Sequence, residues 1–150
     1  MSASTGNASY NNIKRARRST HLFVILLLVF GTVLALTGQN GSVVAEVDGA
    51  TLGVLGTYGE ATFIPLDGIE SVELKEMLDF GTCLEGEETK NTVSGRYSNE
   101  EFGEYTLHVY TKSAPYVVVT YEEGKILVFN QKAERATKNL VEKLEEAGVE

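Results

Sequence analysis

The pattern of hydrophobic positions divides this chain into two parts. An unbroken apolar run extends from Leu22 to Leu36, and no charged residue occurs between Arg18 and Glu46. Beyond Gly38, hydrophobic residues instead recur at short intervals, separated by polar residues and glycines. A continuous apolar run is typical of a membrane segment, whereas alternation is typical of half-buried strands. The chain is therefore expected to carry a membrane-targeting segment followed by one small folded domain.

The alternating part predicts seven or eight strands. Alternation and turn signals indicate strands at Ser42–Asp48, Thr51–Leu55, Tyr58–Leu66, Ile69–Met77, Val93–Tyr97, Glu104–Thr111, Tyr116–Tyr121 and Lys125–Phe129. Asp48-Gly49 predicts a two-residue hairpin turn, because both residue types tolerate a positive φ. The irregular, charged stretch from Leu78 to Asn99 contains three glycines and is interpreted as a long, mobile loop around its one short strand.

The hydrophobic period changes near the C-terminus. Residues three or four positions apart form one apolar stripe, made of Ala133, Ala136, Thr137, Leu140, Val141, Leu144 and Ala147. This spacing predicts an amphipathic helix over residues 131–147, with Asn130 as its N-cap and Gly148 as its stop. Strands followed by one helix predict a mainly β domain over residues 39–150, in which the helix covers an open end of an antiparallel barrel or sandwich.

The apolar run directly follows a basic cluster, which consists of Lys14, Arg15, Arg17 and Arg18. The 21 residues from Ser19 to Gln39 tolerate burial, and a spanning helix needs roughly 20. We predict one transmembrane helix over residues 21–38, retained as a signal anchor. The alternative is a secretory signal peptide cleaved after Val33-Leu34-Ala35, which would leave a secreted domain.

Basic residues flank only the N-terminal end of the apolar segment. By the positive-inside rule, residues 1–20 are expected to be a cytosolic tail and the domain to lie outside the cytosol. Residues 1–12 have no apolar period, so the tail is predicted to be disordered. The basic cluster is expected to orient the segment and to contact anionic headgroups rather than nucleic acid. The predicted location is the cell membrane, with a single pass.

The domain after Gly38 is strongly acidic. It holds all 21 acidic residues and nine of the 13 basic ones, which gives a formal charge of −12. Such a domain is repelled by nucleic acid and by anionic membrane surfaces. We therefore expect no nucleic-acid partner and no binding of anionic lipid by the domain. Lipid binding would require scattered basic residues to converge in space, namely Lys75, Lys90, Arg96, Lys112 and Lys125.

No set of residues indicates catalysis, a cofactor or a metal site. The two histidines, His21 and His108, are far apart in sequence, and metal sites need several converging ligands. We interpret His108 as a surface or cross-strand residue. Glu85, Glu87 and Glu88 lack the alternation of a calcium-binding loop and are interpreted as a solvated charged run. The protein is therefore predicted not to be an enzyme.

Two further groups of residues have structural interpretations. Cys83, the single cysteine, has no basic neighbour closer than Lys90 in sequence, so nothing predicts a reactive thiolate. Tyrosines in predicted strands are interpreted as cross-strand packing residues rather than as a ligand platform. They are Tyr105, Tyr110, Tyr116 and Tyr121.

Short motifs follow one another through the domain in a fixed order. They are Tyr58-Gly59, Ile64-Pro65, Ile69 to Leu74, Gly95, Glu101 to Tyr105, Leu107, Val109, Tyr110, Pro115 to Val119 and Phe129-Asn130. The series resembles the bacterial Pleckstrin-homology-like domain over residues Ser42 to Glu146. The resemblance implies a partly open barrel of seven strands in two near-orthogonal sheets, plugged by a C-terminal helix. Family members often carry membrane segments.

The sequence departs from this family pattern in its central loop. The family often has a basic residue soon after the fourth strand, whereas here Gly81 to Leu84 are followed by acidic residues. An anionic-ligand role that depends on this basic residue is therefore not carried over to this chain, and a fold does not by itself specify a function.

These observations predict a non-catalytic, membrane-anchored module that binds a protein or cell-envelope partner. Binding would occur by strand addition at a sheet edge or through the glycine-rich loop of residues 78–99. The alternative function is a small-ligand or lipid sensor that uses the barrel mouth. A deep apolar pocket with converging polar groups would favour the sensor. A flat apolar patch or a free strand edge would favour the interaction module.

Overall fold

The computed structural model describes residues 41–149. The predicted tail and transmembrane helix, residues 1–20 and 21–38, lie outside the described residues. Among residues 41–149, no helix combines the length and hydropathy that crossing a bilayer requires. The described part contains nine strands and one α-helix. They are β1 (Val44–Asp48), β2 (Thr51–Leu55), β3 (Ala61–Pro65), β4 (Ile69–Lys75), β5 (Thr82–Glu88), β6 (Thr92–Asn99), β7 (Gly103–Tyr110), β8 (Tyr116–Tyr121), β9 (Lys125–Phe129) and α1 (Glu134–Glu146).

The strands form two sheets. β1, β2 and β3 make a three-stranded antiparallel meander, and the other six strands lie in the order β4-β8-β9-β7-β6-β5. The domain is mainly β with a C-terminal helix, as predicted. The prediction of about seven antiparallel strands was wrong in two respects, because nine strands form and β7 pairs with β9 in parallel. The described residues make two sheets rather than a closed barrel.

The parallel pair follows from the way the β8–β9 hairpin folds back. After the loop at residues 111–115, β9 rather than β8 lies next to β7, and β8 pairs outward with β4. Consecutive strands usually pair with each other in antiparallel fashion, so sequence order suggested β7 beside β8. As a result, the β8–β9 hairpin lies between β4 and β7 in the sheet.

Residues 82–99 form a strand pair; the predicted short strand Val93–Tyr97 lies within β6, but the long loop predicted around it is wrong. β5 and β6 pair from Thr82 opposite Ser98 to Glu88 opposite Val93. Gly86 lies opposite Gly95, and a Cβ on either residue would overlap the backbone of the neighbouring strand. This close approach is a reason for glycine at both positions. The pattern did not reveal β5 because all seven of its residues are exposed, so no face alternates.

The first two hairpin connections differ slightly from the predicted ones. Asp48 pairs with Thr51, so the two-residue turn consists of Gly49 and Ala50 rather than Asp48-Gly49. Gly49 has a φ of 58°, which favours glycine there. The third strand begins at Ala61, because residues 57–59 form a 3-10 turn. The predicted bounds of Tyr116–Tyr121 and Lys125–Phe129 are confirmed.

The first core lies between the six-stranded sheet, the small sheet and α1. Its fully buried members include Leu52, Ile64, Phe129 and Leu144. In α1 the buried residues are Thr137, Leu140, Val141 and Leu144, which confirms the middle of the predicted stripe, whereas Ala133 and Ala147 at its two ends are exposed. The helix therefore packs by its apolar face, as amphipathic surface helices do.

The helix begins at Glu134, and Asn130 is not its N-cap. Ala133 occupies the cap position without a side-chain hydrogen bond. The Asn130 side chain instead bonds the N–H and C=O of Tyr110 and the C=O of Ser113. A buried amide that satisfies three main-chain groups outweighs a single capping bond, and this competition explains the wrong prediction.

The second core covers the opposite face of the six-stranded sheet. Residues 76–81, which connect β4 to β5, contribute to its cover. The Tyr105 hydroxyl donates to the Phe80 carbonyl at 2.9 Å, and the Phe80 ring meets Tyr116 edge-on at 5.7 Å. From the β6–β7 turn, Phe102 packs edge-on against Tyr105 at 5.3 Å. The six-stranded sheet is therefore covered on both faces in its centre, while β5 remains at its margin.

Candidate functional site

The acidic residues considered as metal ligands do not converge with other ligands. Glu85, Glu87 and Glu88 lie exposed along β5. Within residues 41–149, no group of three or more histidine, cysteine, aspartate or glutamate side chains is placed to hold a metal ion. Cys83 is exposed on the same strand and lies opposite Tyr97 in β6. The candidate chemistry of β5 is therefore a negatively charged surface.

The four strand tyrosines do not form one platform. Tyr105 and Tyr116 are buried in the second core, and burial raises the pKa of Tyr105 to about 12. Tyr110 and Tyr121 pack against the first core on the other face of the sheet. Their distribution over both faces matches the packing interpretation.

His108 is a buried cross-strand residue, so the cross-strand interpretation is confirmed and the surface interpretation is wrong. Only 2% of its surface is exposed, and it lies opposite Ser94 across the β6–β7 pair. Burial lowers the pKa of the imidazole to about 4, so the ring is neutral near pH 7. Among residues 41–149, its Nδ1 has no hydrogen-bond partner. Alternation placed His108 on the face opposite Leu107, but alternation does not show what covers that face.

A buried polar cluster surrounds this imidazole. The Thr57 N–H donates to Ser94 Oγ at 2.9 Å, and the Thr57 and Thr92 hydroxyls are 2.7 Å apart. A Cβ at Gly56 would overlap His108 Nδ1 and crowd Ser94 Oγ. The cluster therefore fastens the 3-10 turn at residues 57–59 tightly onto β6.

An open groove of about 390 Å³ lies beside this cluster, between β3 and the β6–β7 pair. Its lining is mostly polar and includes Glu60, Thr62, Thr106 and His108. Arg96 also lines it, held by Glu85 at 3.3 Å and by Glu104 at 3.9 Å. This is not the deep apolar pocket that would favour a lipid sensor.

β5 is the terminal strand of the six-stranded sheet. Within the part of the chain that the structure describes, no strand pairs with its outer edge. Edge strands present unpaired N–H and C=O groups that can accept another strand. This edge lies inside the segment predicted to be a glycine-rich loop, so the two predicted modes of binding fall on the same residues.

The outer face of the small sheet carries a second exposed feature, which we call the β1–β3 patch. It consists of Val44, Gly53, Leu55 and Phe63, bordered by the carboxylates of Glu46 and Asp48. The exposed fractions of Val44, Leu55 and Phe63 are 51%, 43% and 71%. The domain therefore offers both a free strand edge and an apolar patch.

Neither the protein-family models, nor the curated proteins, nor the solved structures contain a match to this chain.

Proposed function

We propose that this protein is a non-catalytic, membrane-anchored interaction module whose β5 edge binds an extended segment of a protein partner. The observation that carries the proposal is the exposed β5 strand at the end of the six-stranded sheet. An added strand would form main-chain hydrogen bonds with this edge, and alternate side chains of the partner would contact the β5 side chains.

The charge of β5 specifies the chemistry of the partner. Glu87 and Glu88 have no ion-pair partner among the described residues, and Glu85 shares Arg96 with Glu104. Opposite charges across neighbouring strands contribute about 0.2–1 kcal/mol per pair, and like charges repel. The partner segment is therefore a strand that carries lysine or arginine.

The β5 edge is held in place before any partner binds. The Asn99 side chain donates to the Asp79 carbonyl at 2.7 Å, and the Gly81 N–H donates to the Asp79 carboxylate at 2.9 Å. The first bond ties the connection that precedes β5 to Asn99 at the end of β6, and the second holds the turn within that connection. A preorganised edge loses less conformational entropy on binding, which favours strand addition.

The membrane anchor and the Pleckstrin-homology-like fold are parts of the same proposal. Two sheets with a C-terminal helix packed against strands of both support the resemblance, whereas the nine strands and the parallel β7–β9 pair depart from it. The predicted helix at residues 21–38 would hold the module at the membrane, with β5 directed to a protein or cell-envelope partner outside the cytosol.

The sensor alternative has one observation in its favour. The groove beside His108 borders a buried imidazole whose Nδ1 has no hydrogen-bond partner within the described part of the chain. Its polar lining suits a small polar ligand rather than a lipid chain. The tight packing of Gly56 on the ring gives the imidazole a structural role, so the interaction module is the preferred proposal.

Site-specific photo-crosslinking in native membranes tests the β5 edge. A benzophenone-bearing residue replaces Glu87 on β5 in the full chain, and the matched control carries it in place of Glu142 on the exposed side of α1. We expect a discrete adduct from position 87 and none from position 142. Mass spectrometry of the adduct is expected to identify a partner segment that contains lysine or arginine. Equal adducts from both positions, or none from position 87, would contradict the proposal.

A further inference from the structure

The outer face of the small sheet is organised in cross-strand rows. The central row places Glu46, Gly53 and Phe63 side by side on the three strands. The row on one side holds Val44, Leu55 and Ala61, and the row on the other side holds Asp48, Thr51 and Pro65. Because glycine has no side chain, the middle of the central row is a depression in the sheet surface.

This depression is a groove with an apolar floor. It measures about 450 Å³, and Gly53 is one of the residues that line it. A Cβ added to Gly53 would lie 3.3 Å from the nearest carbon of the Phe63 ring. The ring therefore stands against the glycine and forms one wall of the groove, while Val44 and Leu55 close one end. The space suits one large aliphatic or aromatic side chain.

The fold itself does not require these apolar residues. The opposite face of the small sheet already supplies Ala45, Leu52, Val54 and Ile64 to the first core, with 6% exposure or less. An antiparallel sheet with one solvated face normally places polar residues there. Phe63 is nevertheless 71% exposed. Clustered apolar residues with a polar border are typical of binding surfaces.

The charges around the groove specify its occupant. Glu46 and Asp48 line it along β1, and none of the described residues that line it is basic. A bound apolar side chain would therefore have carboxylates beside it. Complementary charge on the occupant would be a lysine or arginine next to the apolar residue.

The size and the charge of the face argue against two other occupants, a second copy of this chain and an anionic membrane. Three strands of five residues span roughly 17 Å by 14 Å, on the order of 240 Å². A stable dimer buries about 800 Å² on each partner, so this face alone does not hold a second copy. A second copy would also bring Glu46 and Asp48 against their own equivalents. Anionic membrane headgroups would meet the same carboxylates.

We infer that the β1–β3 patch is a second binding site, which takes a peptide segment with one large apolar side chain flanked by lysine or arginine. The apolar side chain lies over Gly53 against Phe63, and the flanking cation pairs with Glu46 or Asp48. This site is separate from the β5 edge and stands whether or not strand addition occurs there.

Fluorescence anisotropy with defined peptides tests the inference. The full chain is reconstituted in nanodiscs of uncharged phosphatidylcholine and titrated against labelled Lys-Lys-Leu-Lys-Lys. Two comparison peptides carry alanine at the centre or glutamate in place of every lysine. We expect saturable binding of the leucine peptide and at least tenfold weaker binding of both comparison peptides. Empty nanodiscs give the background.

Variants of the chain distinguish the groove from general charge attraction. Gly53→Val fills the groove, Phe63→Ala removes its wall, and Glu46→Lys reverses its charge; each is expected to weaken binding at least tenfold. Glu142→Lys makes the same charge change on α1 and is expected to shift affinity by less than twofold. Phe63→Ala changes a mostly exposed side chain, so it decides the test if Gly53→Val does not fold, as checked by circular dichroism.

Three results would overturn the inference. They are equal affinity for the alanine-centred peptide, equal loss with Glu46→Lys and Glu142→Lys, and unchanged binding by Phe63→Ala. Association of phosphatidylcholine vesicles with the nanodisc-held full chain that is lost with Phe63→Ala would assign the face to the membrane instead. Failure of the β5 crosslinking experiment leaves these expectations unchanged, so the two proposals fail separately.

Discussion

The side chain of Asn130 makes the two hydrogen bonds to the Tyr110 main chain that a neighbouring strand would otherwise make. Its Oδ1 accepts the Tyr110 N–H at 2.7 Å, and its Nδ2 donates to the Tyr110 carbonyl at 3.1 Å and to the Ser113 carbonyl at 2.7 Å. The parallel ladder between β7 and β9 ends with His108 opposite Phe129. The buried side chain of Asn130 therefore continues this ladder for one more residue, at the point where the chain turns towards α1.

Replacing Asn130 is expected to destabilise the domain strongly. Asn130→Ala leaves the N–H and C=O of Tyr110 without these partners, and an unsatisfied buried polar group costs about 1–3 kcal/mol. We expect a loss of at least about 2 kcal/mol in the free energy of unfolding, measured by urea denaturation of the purified chain. Asn139→Ala on the exposed side of α1 is the control and should change stability by less than about 0.5 kcal/mol. Equal effects would contradict the role of Asn130.

His108 is expected to make stability depend on pH. Its pKa is about 4 in the folded chain and 6.5 for an ordinary histidine. The unfolded chain therefore takes up a proton as pH falls below 6.5, while the folded chain does not until about pH 4. Stability should be highest above pH 6.5 and fall between these values. The loss is on the order of 3 kcal/mol, because one pKa unit corresponds to about 1.4 kcal/mol.

Two measurements check this pH dependence. Urea denaturation is repeated from pH 7 to pH 4 for the natural chain and for His108→Gln, and the difference in slope between them is assigned to the imidazole. An NMR titration of the ring gives its pKa directly. A ring that titrates near 6.5, or equal slopes in the two chains, would contradict the prediction. Glu60, Glu85 and Arg96, which share the groove with His108, are present in both chains.

The packing of α1 is expected to contribute substantially to stability. Leu140 is 4% exposed in the first core. Leu140→Ala should therefore cost about 2–5 kcal/mol, as large-to-small core substitutions do. Thermal or urea melts check this, with Glu142→Ala on the exposed side of the same helix as the control. A change below about 0.5 kcal/mol for Leu140→Ala would be typical of a surface residue and would contradict the role of the helix in the core.

Membrane topology can be tested through Cys83. It is the single cysteine of the chain and is exposed on β5 in the folded domain. With the domain outside the cytosol, a membrane-impermeant maleimide should label it in intact cells. Labelling only after permeabilisation would indicate the opposite orientation. Carbonate extraction in parallel tests the anchor, because a retained transmembrane helix should keep the protein in the membrane pellet.

The domain is expected not to bind anionic lipid. Three of the five basic residues that would need to converge already pair with acids: Lys75 with Glu73 and Glu101, Arg96 with Glu85 and Glu104, and Lys125 with Glu122. Each free basic residue near an anionic surface contributes about 1 kcal/mol of attraction, and paired ones contribute less. Flotation of residues 41–150 with phosphatidylserine or phosphatidylglycerol liposomes checks this. Saturable binding that weakens with salt would contradict it and favour the lipid-sensor alternative.

The spacing of apolar residues was sufficient to predict those helices and strands in which the same spacing also marks the buried side chains. The stripe that contains Leu140 and Leu144 predicts a helix with one buried face, because side chains three or four positions apart share a side. The bounds of β8 and β9 follow from dense β-branched residues between turn residues. In these segments one period decides both the secondary structure and the buried face.

Only the tertiary structure decided which strands became neighbours and what covered each face. The parallel pairing of β7 with β9, the burial of His108 beneath Gly56 and the diversion of Asn130 from capping all depend on contacts between residues distant in sequence. β5 has no buried face, so its strand conformation comes from pairing with β6 rather than from its own pattern. The groove over Gly53 likewise exists because β3 places Phe63 beside it, and strand register is a property of the assembled sheet.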